Sequence, residues 1–216
     1  MGTELTCFKA YDIRGRIPDE LNEDLAYRIG RAYAALLRPR RIAIGHDVRL
    51  NSPALSMAVT EGLLDGGAGV LDIGLCGTEE IYFAAFHHQL DGGIMVTASH
   101  NPMDYNGMKL VREQAKPISG DSGLFAIRDL AARKDFPASK RQGALVNRPD
   151  KTDYIAHLLG YIDASALRPL TVVVNAGNGG AGSIIDALEP HLPFRFIKLH
   201  HEPDGTFPHG IPNPLL

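Results

Sequence analysis

The chain has 216 residues, enough for one large domain or two small ones. Hydrophobic residues make up 44% and charged residues 22%, an ordinary globular composition, and a net charge of −3 gives no electrostatic basis for binding nucleic acid or an anionic membrane. No apolar run approaches the roughly 20 residues of a spanning helix, no signal pattern opens the chain, and Cys7 and Cys76 lie too far apart to suggest a disulfide framework, so a cytoplasmic protein is expected.

In chain order, Thr6-Cys7-Phe8 is β-prone and Tyr11 to Gly15 reads as a loop. Leu21, Leu25, Ile29 and Leu36 lie at helical spacing behind Asn22-Glu23-Asp24, a good helix start, and Pro39 ends that helix. Arg41 to Gly45 is a strand candidate, with Asp47 and Arg49 in the loop after it. Ser52-Pro53 predicts a second helix, with the Ser52 hydroxyl as its cap, running to Gly66-Gly67. Val70 to Gly74 is a strand, and residues 79 to 88 read as a helix.

Ile94-Met95-Val96 suits a buried strand, and Pro102 forces it to end in a tight loop carrying Thr97, Ser99, His100 and Asn101. Polar residues packed at a strand end are costly to bury without partners. A capping turn accounts for Ser and Asn there, but seldom also for an imidazole. Gly107 to Val111 is a further strand, and Ser122 to Lys134 an amphipathic helix with Leu124, Ile127 and Ala131 inward. Residues 136 to 150 lose periodicity and carry Pro137, Gly143 and Pro149, which places a domain boundary there. Then follow a helix from Asp153 to Ile162, a β-branched strand at Thr171 to Val174, a glycine-rich turn with a helix to about Glu189, and a strand from Phe194 to Leu199. From His201 onward Pro203, Pro208, Pro212 and Pro214 predict irregular chain.

Strands alternating with helices predict an α/β fold: a mixed, mainly parallel sheet sandwiched by helices over residues 1–145, and an incomplete second α/β domain over 146–216. Ligands of such sheets gather beyond the carboxyl ends of the strands, which would bring Asp47, Arg49 and Ser99 to one edge. The second part has only two clear strands and ends at Leu216 without a closing element, so a fragment of a longer protein, or a domain that needs missing C-terminal domains or a partner chain to cover it, is expected.

Thr97-Ala98-Ser99-His100-Asn101-Pro102 resembles the phosphoserine loop of the α-D-phosphohexomutases, the phosphomannomutase/phosphoglucomutase family. Tyr105-Asn106-Gly107-Met108-Lys109 follows at the spacing that family uses. Phe8-Lys9-Ala10-Tyr11-Asp12-Ile13-Arg14-Gly15 resembles its N-terminal active-site turn, Gly45-His46-Asp47-Val48-Arg49 its second-strand loop, and Pro203-Asp204-Gly205-Thr206-Phe207-Pro208 with Pro212-Asn213-Pro214-Leu215 a stretch of its second domain. Gly77-Thr78-Glu79-Glu80-Ile81-Tyr82-Phe83 looks most like bacterial phosphomannomutases.

The resemblance implies an isomerase interconverting hexose 6-phosphate and hexose 1-phosphate, on mannose or glucose, through a phosphoserine at Ser99 and a bisphosphorylated sugar. It implies catalytic roles for Ser99, His100, Lys109 and Arg14, with Lys109 as acid or base on the sugar hydroxyl, and substrate contacts for Tyr11 and Asn101. It also implies Mg2+, held by a phosphoserine oxygen and three aspartates. Here the sequence departs from the family: no two aspartates lie two residues apart, so an Asp-x-Asp-x-Asp loop is absent and only Ser99, through its phosphate, is left as a metal ligand. A structural reading remains open for some of these residues: Arg14 paired with Asp12, Tyr11 in a core, and Asp47 with Arg49 as a brace for the Ser99 loop.

Three rival readings rest on other residues. Gly177-Asn178-Gly179-Gly180-Ala181-Gly182 matches a dinucleotide fingerprint after a strand, with Glu202 where a ribose-binding acid would sit, so an NAD(P)-binding dehydrogenase half is one alternative. The phosphohexomutases have an Asn- and Gly-rich turn at that place too, for close helix–strand packing. A non-catalytic phosphosugar-binding fragment is the second. A zinc site at His87-His88 or His200-His201 is the third; adjacent side chains point apart on a helix or strand and no thiolate cluster lies near, so these read as solvated or core-edge histidines.

Overall fold

A computed structural model of the chain describes residues 5–213; of the family-like stretch at the C-terminus, Pro214 and Leu215 lie outside the described residues. The first helix, α1 (Glu23–Leu37), starts where Asn22 accepts a hydrogen bond from the Leu25 amide, and ends at Arg38 in the left-handed conformation just before Pro39. Helix α2 (Ser52–Asp65) crosses α1 at close range, because Gly30 and Gly62 face each other's helix; a Cβ on Gly62 would collide with the Tyr27 carbonyl.

These two helices and α4 (Leu124–Arg133) cover one face of the first sheet, and α3 (Thr78–His87) covers the other. The strands are β1 (Ile13–Arg16), β2 (Arg41–His46), β3 (Gly69–Leu75), β4 (Gly92–Val96), β5 (Tyr105–Arg112), β6 (Lys116–Pro117) and β7 (Leu145–Asn147). Their order is β1-β5-β4-β2-β3-β7, with β6 beside β5. β4, β2, β3 and β7 run parallel, and β1, β5 and β6 make the antiparallel edge. The mixed, mainly parallel sheet expected from sequence is present.

Two features depart from the sequence reading. Ile13–Arg16 is a strand rather than a loop: Ile13 pairs with Met108 and Arg14 with Gly107, so the antiparallel partner β5 supplies an order that local pattern does not reveal. The Ser52 hydroxyl does not cap α2, because it donates to Asp47 and accepts from Asn106 instead. Strand β7 falls in the aperiodic stretch and pairs with β3 through Val70–Leu145 and Asp72–Asn147.

The period of two is visible across the sheet. Ile42 and Ile44 of β2, with Ile94 and Val96 of β4, enter the core under α1 and α2. Ala43 and Met95 enter the smaller core under α3. Each fully buried Ile contributes about 1.5–3 kcal/mol through its removal from water. Burial pushes the Cys7 thiol up to about 11 and raises that of Cys76 as well, and both cysteines are free.

After β7 come α5 (Thr152–Leu159), β8 (Thr171–Asn175), α6 (Ala181–Leu188) and β9 (Arg195–Leu199). β8 and β9 pair in parallel as a two-stranded sheet. This second unit packs against the first at several points. Lys151 bonds Glu80 and the Leu75 carbonyl, and Gly205 lies so close to Val48 and Leu50 that no side chain would fit.

Candidate active site

β4 is buried throughout, and Thr97 and Ala98 continue that burial. Ser99 then emerges into solvent with φ +53, a left-handed conformation that L-residues adopt at a cost. Its amide donates to the Thr97 hydroxyl at 2.9 Å, and its Oγ lies 3.4 Å from His100 Nδ1. The neighbouring imidazole is therefore within reach of the serine hydroxyl.

The loop is held from beneath by Arg49, only 2% exposed. One guanidinium nitrogen donates to the carbonyls of Pro102 (2.7 Å) and Tyr105 (3.0 Å). The other donates to those of Ser99 (2.9 Å) and Asn101 (2.6 Å). A planar fork with fixed donors suits this task, and charge-assisted hydrogen bonds are roughly twice as strong as neutral ones. Burial lowers the Arg49 pKa, and Asp47, 3.4 Å from its Nε, opposes that shift. Asp47 also accepts from the hydroxyls of Thr97 (2.7 Å) and Ser52 (2.5 Å) and from the Arg49 amide. The chain of contacts Asp47–Thr97–Ser99 thus fixes the serine backbone from the second side.

Asn101 belongs to the same brace. Its side-chain amide donates to the Ala98 carbonyl at 2.9 Å, and its own carbonyl faces Arg49. The brace reading of Asp47 and Arg49 is the one the geometry carries. The signal was present in the Gly45–Arg49 motif. The Thr97 link and the position of Phe207, whose ring lies 5.5 Å from the Arg49 guanidinium, escaped the sequence reading because both depend on residues brought together only by folding.

Ser99 and Lys109 line one cavity of about 240 Å3, together with Thr97, Asp47, Glu79 and the Gly179–Ala181 turn of the second unit. Lys109 Nζ lies 3.5 Å from Asp12, which also receives Arg14 Nε and Nη2, each at 3.1 Å. The Arg14–Asp12 pair foreseen as the structural alternative exists, yet it does not use up the guanidinium: Nη1 is buried with no hydrogen-bond partner. Tyr11 is 82% exposed, outside any core.

Three comparisons place this arrangement among known proteins. The family model described as phosphoglucomutase/phosphomannomutase, alpha/beta/alpha domain I, matches residues 6–138, and that for alpha/beta/alpha domain II matches residues 152–216. The chain belongs to the phosphoglucomutase/phosphomannomutase family. It is 65% identical over 212 residues to a Xanthomonas campestris protein named phosphohexose mutases, a match covering 98% of this chain and 47% of that protein. To an Escherichia coli phosphomannomutase it is 60% identical over 222 residues, covering 99% and 49%. The crystal structure of a phosphoglucomutase/phosphomannomutase family protein from Burkholderia thailandensis superposes with a TM-score of 0.88 at 33% identity, covering all of this chain and 48% of that one. The chain spans about half the length of the relatives it matches.

A family Mg2+ site needs several hard oxygen ligands around one point. The carboxylates near Ser99 do not supply them: Asp47 is taken by Arg49, Thr97 and Ser52, Asp12 by Arg14 and Lys109, and Glu80 by Lys151, and Glu79 by itself makes no such shell. Among the described residues, the one cluster of three metal-binding side chains is elsewhere, at His87, His88 and Asp153. The residues present therefore do not fit a magnesium site, and no step below is routed through one.

The glycine-rich turn after β8 packs as the phosphohexomutase resemblance implies. Gly182 abuts the His201 carbonyl, and Gly177, at φ +57, faces the Pro212 ring so closely that a Cβ would come within 2.8 Å of it. Asn178 ties the turn to the chain after β9 through the Glu202 carbonyl (2.9 Å). His200 and His201 diverge as expected, one against His209 and the other toward Asp186. His87 and His88 do not: their ring centroids are 4.8 Å apart, because His88 caps α3 with φ −88, ψ 8 and has left the helical path.

Proposed function

We propose that Ser99 is the phosphate carrier of a phosphohexomutase of the phosphomannomutase type, interconverting hexose 6- and 1-phosphates of mannose or glucose. The supporting observation is an exposed hydroxyl at the tip of a buried strand, on a loop pinned by a buried guanidinium, in one cavity with Lys109. Phosphoryl transfer depends mainly on positioning and on positive charge around the equatorial oxygens. A loop that cannot relax fulfils the first demand. Lys109, Arg14 with its unpaired Nη1, and His100 beside Oγ fulfil the second.

In the proposed reaction the bond from phosphorus to Ser99 Oγ breaks as a bond forms to the sugar hydroxyl. Lys109 in its neutral form receives the hydroxyl proton, and the departing Ser99 Oγ takes a proton from His100, whose Nδ1 lies 3.4 Å away. The sugar then turns over, its other phosphoryl group passes to Ser99 Oγ as that hydroxyl returns its proton to His100, and Lys109 gives its proton to the sugar oxygen left behind. Asn101 and Tyr11 are assigned as contacts to the sugar. A hexose phosphate is the partner molecule, and the segments that complete the relatives' length are expected to supply the rest of the clamp and the metal.

Intact-mass measurement after incubation with glucose or mannose 1,6-bisphosphate tests this. A gain of about 80 Da on the chain, absent from Ser99→Ala, is the expected result. An unchanged mass in both this chain and a full-length form overturns the carrier role.

A further inference from the structure

We propose that His87, His88 and Asp153 form a binding site for a borderline-soft transition-metal dication, with Zn2+ as its reference ion, at the junction of α3 and α5. The three ligand atoms lie within 4.8 Å of one another, and His87 Nε2 is 3.7 Å from Asp153 Oδ2. Adjacent residues on a helix cannot present two rings to one point. These can, because α3 stops at His87 and the His88 backbone turns away.

The geometry is near what zinc requires. Bonds of about 2.0–2.1 Å in a tetrahedral shell put neighbouring donors roughly 3.3–3.5 Å apart. The triad must close by up to about 1.5 Å to reach that spacing, and both His87 and Asp153 are partly solvent-exposed. The His87 ring is not adrift: it stacks on Phe83 at 4.6 Å and 21°, which sets its plane. Asp153 is oriented by Arg148, which bonds Oδ2, the oxygen that faces His87, at 2.8 Å. Outer donors of this kind orient metal ligands in general. The Arg148 charge, and Arg41 near the His88 carbonyl, oppose a dication, so the affinity is modest.

Two imidazoles and one carboxylate favour Zn2+, Co2+ or Ni2+ over Mg2+, which prefers oxygen alone. The site is separate from the Ser99 cavity. The N-terminal residues of α3 line that cavity, whereas the histidines lie at its other end, about 15 Å away for a ten-residue helix. An ion there would cross-link the last turn of α3 to the first turn of α5, the helix that follows β7. It would fasten the second unit to the first by a bond that neither sheet provides.

Calorimetric titration of Zn2+ into the 216-residue chain, with millimolar Mg2+ present, tests the proposal. We expect one Zn2+ per chain, a Zn2+-dependent rise in Tm, and at least tenfold weaker binding in both His88→Asn and Asp153→Asn. Co2+ should give the visible bands of a tetrahedral site, reduced in the same variants. Asp153 is exposed enough that its variant folds even if His88→Asn does not, and circular dichroism checks each. No saturable Zn2+ binding overturns the proposal. So does equal competition by Mg2+, binding unchanged in both variants, or loss on His200→Asn instead, which would place the ion at the His200–His209 pair.

Discussion

β4 and β8 are both five-residue strands that lead into a loop containing a left-handed residue, and they have opposite fates. Every residue of β4 is buried, between β2 and β5 and beneath helices on both faces. In β8 exposed and half-buried residues alternate, and among the described residues its sole strand partner is β9. The loops differ in the same way. Ser99 is held by a buried guanidinium and a half-buried carboxylate, while the turn at Gly177 and Asn178 is held by neutral hydrogen bonds and a proline ring. A reactive hydroxyl is presented where the scaffold behind it is strong enough to bury charge. The weaker sheet supplies cavity wall.

The largest effect should come from removing that charge. Arg49→Ala leaves four loop carbonyls without their donor and Asp47 without its cation, and breaking a buried charged network of this kind costs about 3–5 kcal/mol. Urea unfolding should show that loss, and phosphorylation of Ser99 by the bisphosphate should fall with it. Arg49→Lys should recover little, since one ammonium cannot span carbonyls that a planar fork reaches from two nitrogens. A cost under about 1 kcal/mol for Arg49→Ala would break the comparison, because such a loop would stand without its brace.

Next in size is the core beneath the strand. Ile94→Ala should destabilise by about 2–5 kcal/mol, through lost transfer energy and the cavity left behind. If it costs as little as an exposed substitution, β4 is not the packed centre described above.

How far the sequence carries this picture depends on the residue. β4 was legible because Ile94-Met95-Val96 is apolar without interruption and Pro102 stops it. α1 was legible from Asn22 and a helical stripe. β1 was not, since Ile13–Arg16 has no periodic signal and gains its order from β5, far along the chain. Ser52 illustrates a different failure: its sequence context predicts a cap, yet the carboxylate of Asp47 and the amide of Asn106 outbid a local backbone amide. Ser99, Lys109 and Arg14 could be named from motifs, while the role of Arg49 as a four-carbonyl clamp could not, because the acceptors are backbone atoms that carry no residue signature. The His87–His88 convergence was hidden for a similar reason, since it turns on one residue leaving the helical path.

The smallest expected effect completes the comparison. Val173 is 60% exposed in the middle of β8, with Ile197 of β9 41% exposed beside it in register. Val173→Ala in the 216-residue chain should change unfolding free energy by less than about 0.5 kcal/mol, as surface substitutions do. The same substitution in a form as long as the family relatives reads out what covers this sheet. A cost of about 1 kcal/mol or more there would mean that added chain buries the β8 face as α3 buries β4, for a β-branched side chain contributes through packing rather than through the strand alone. An equally small cost in both forms would leave the face in solvent. The asymmetry between the two sheets would then be a property of the fold and not of this length of chain.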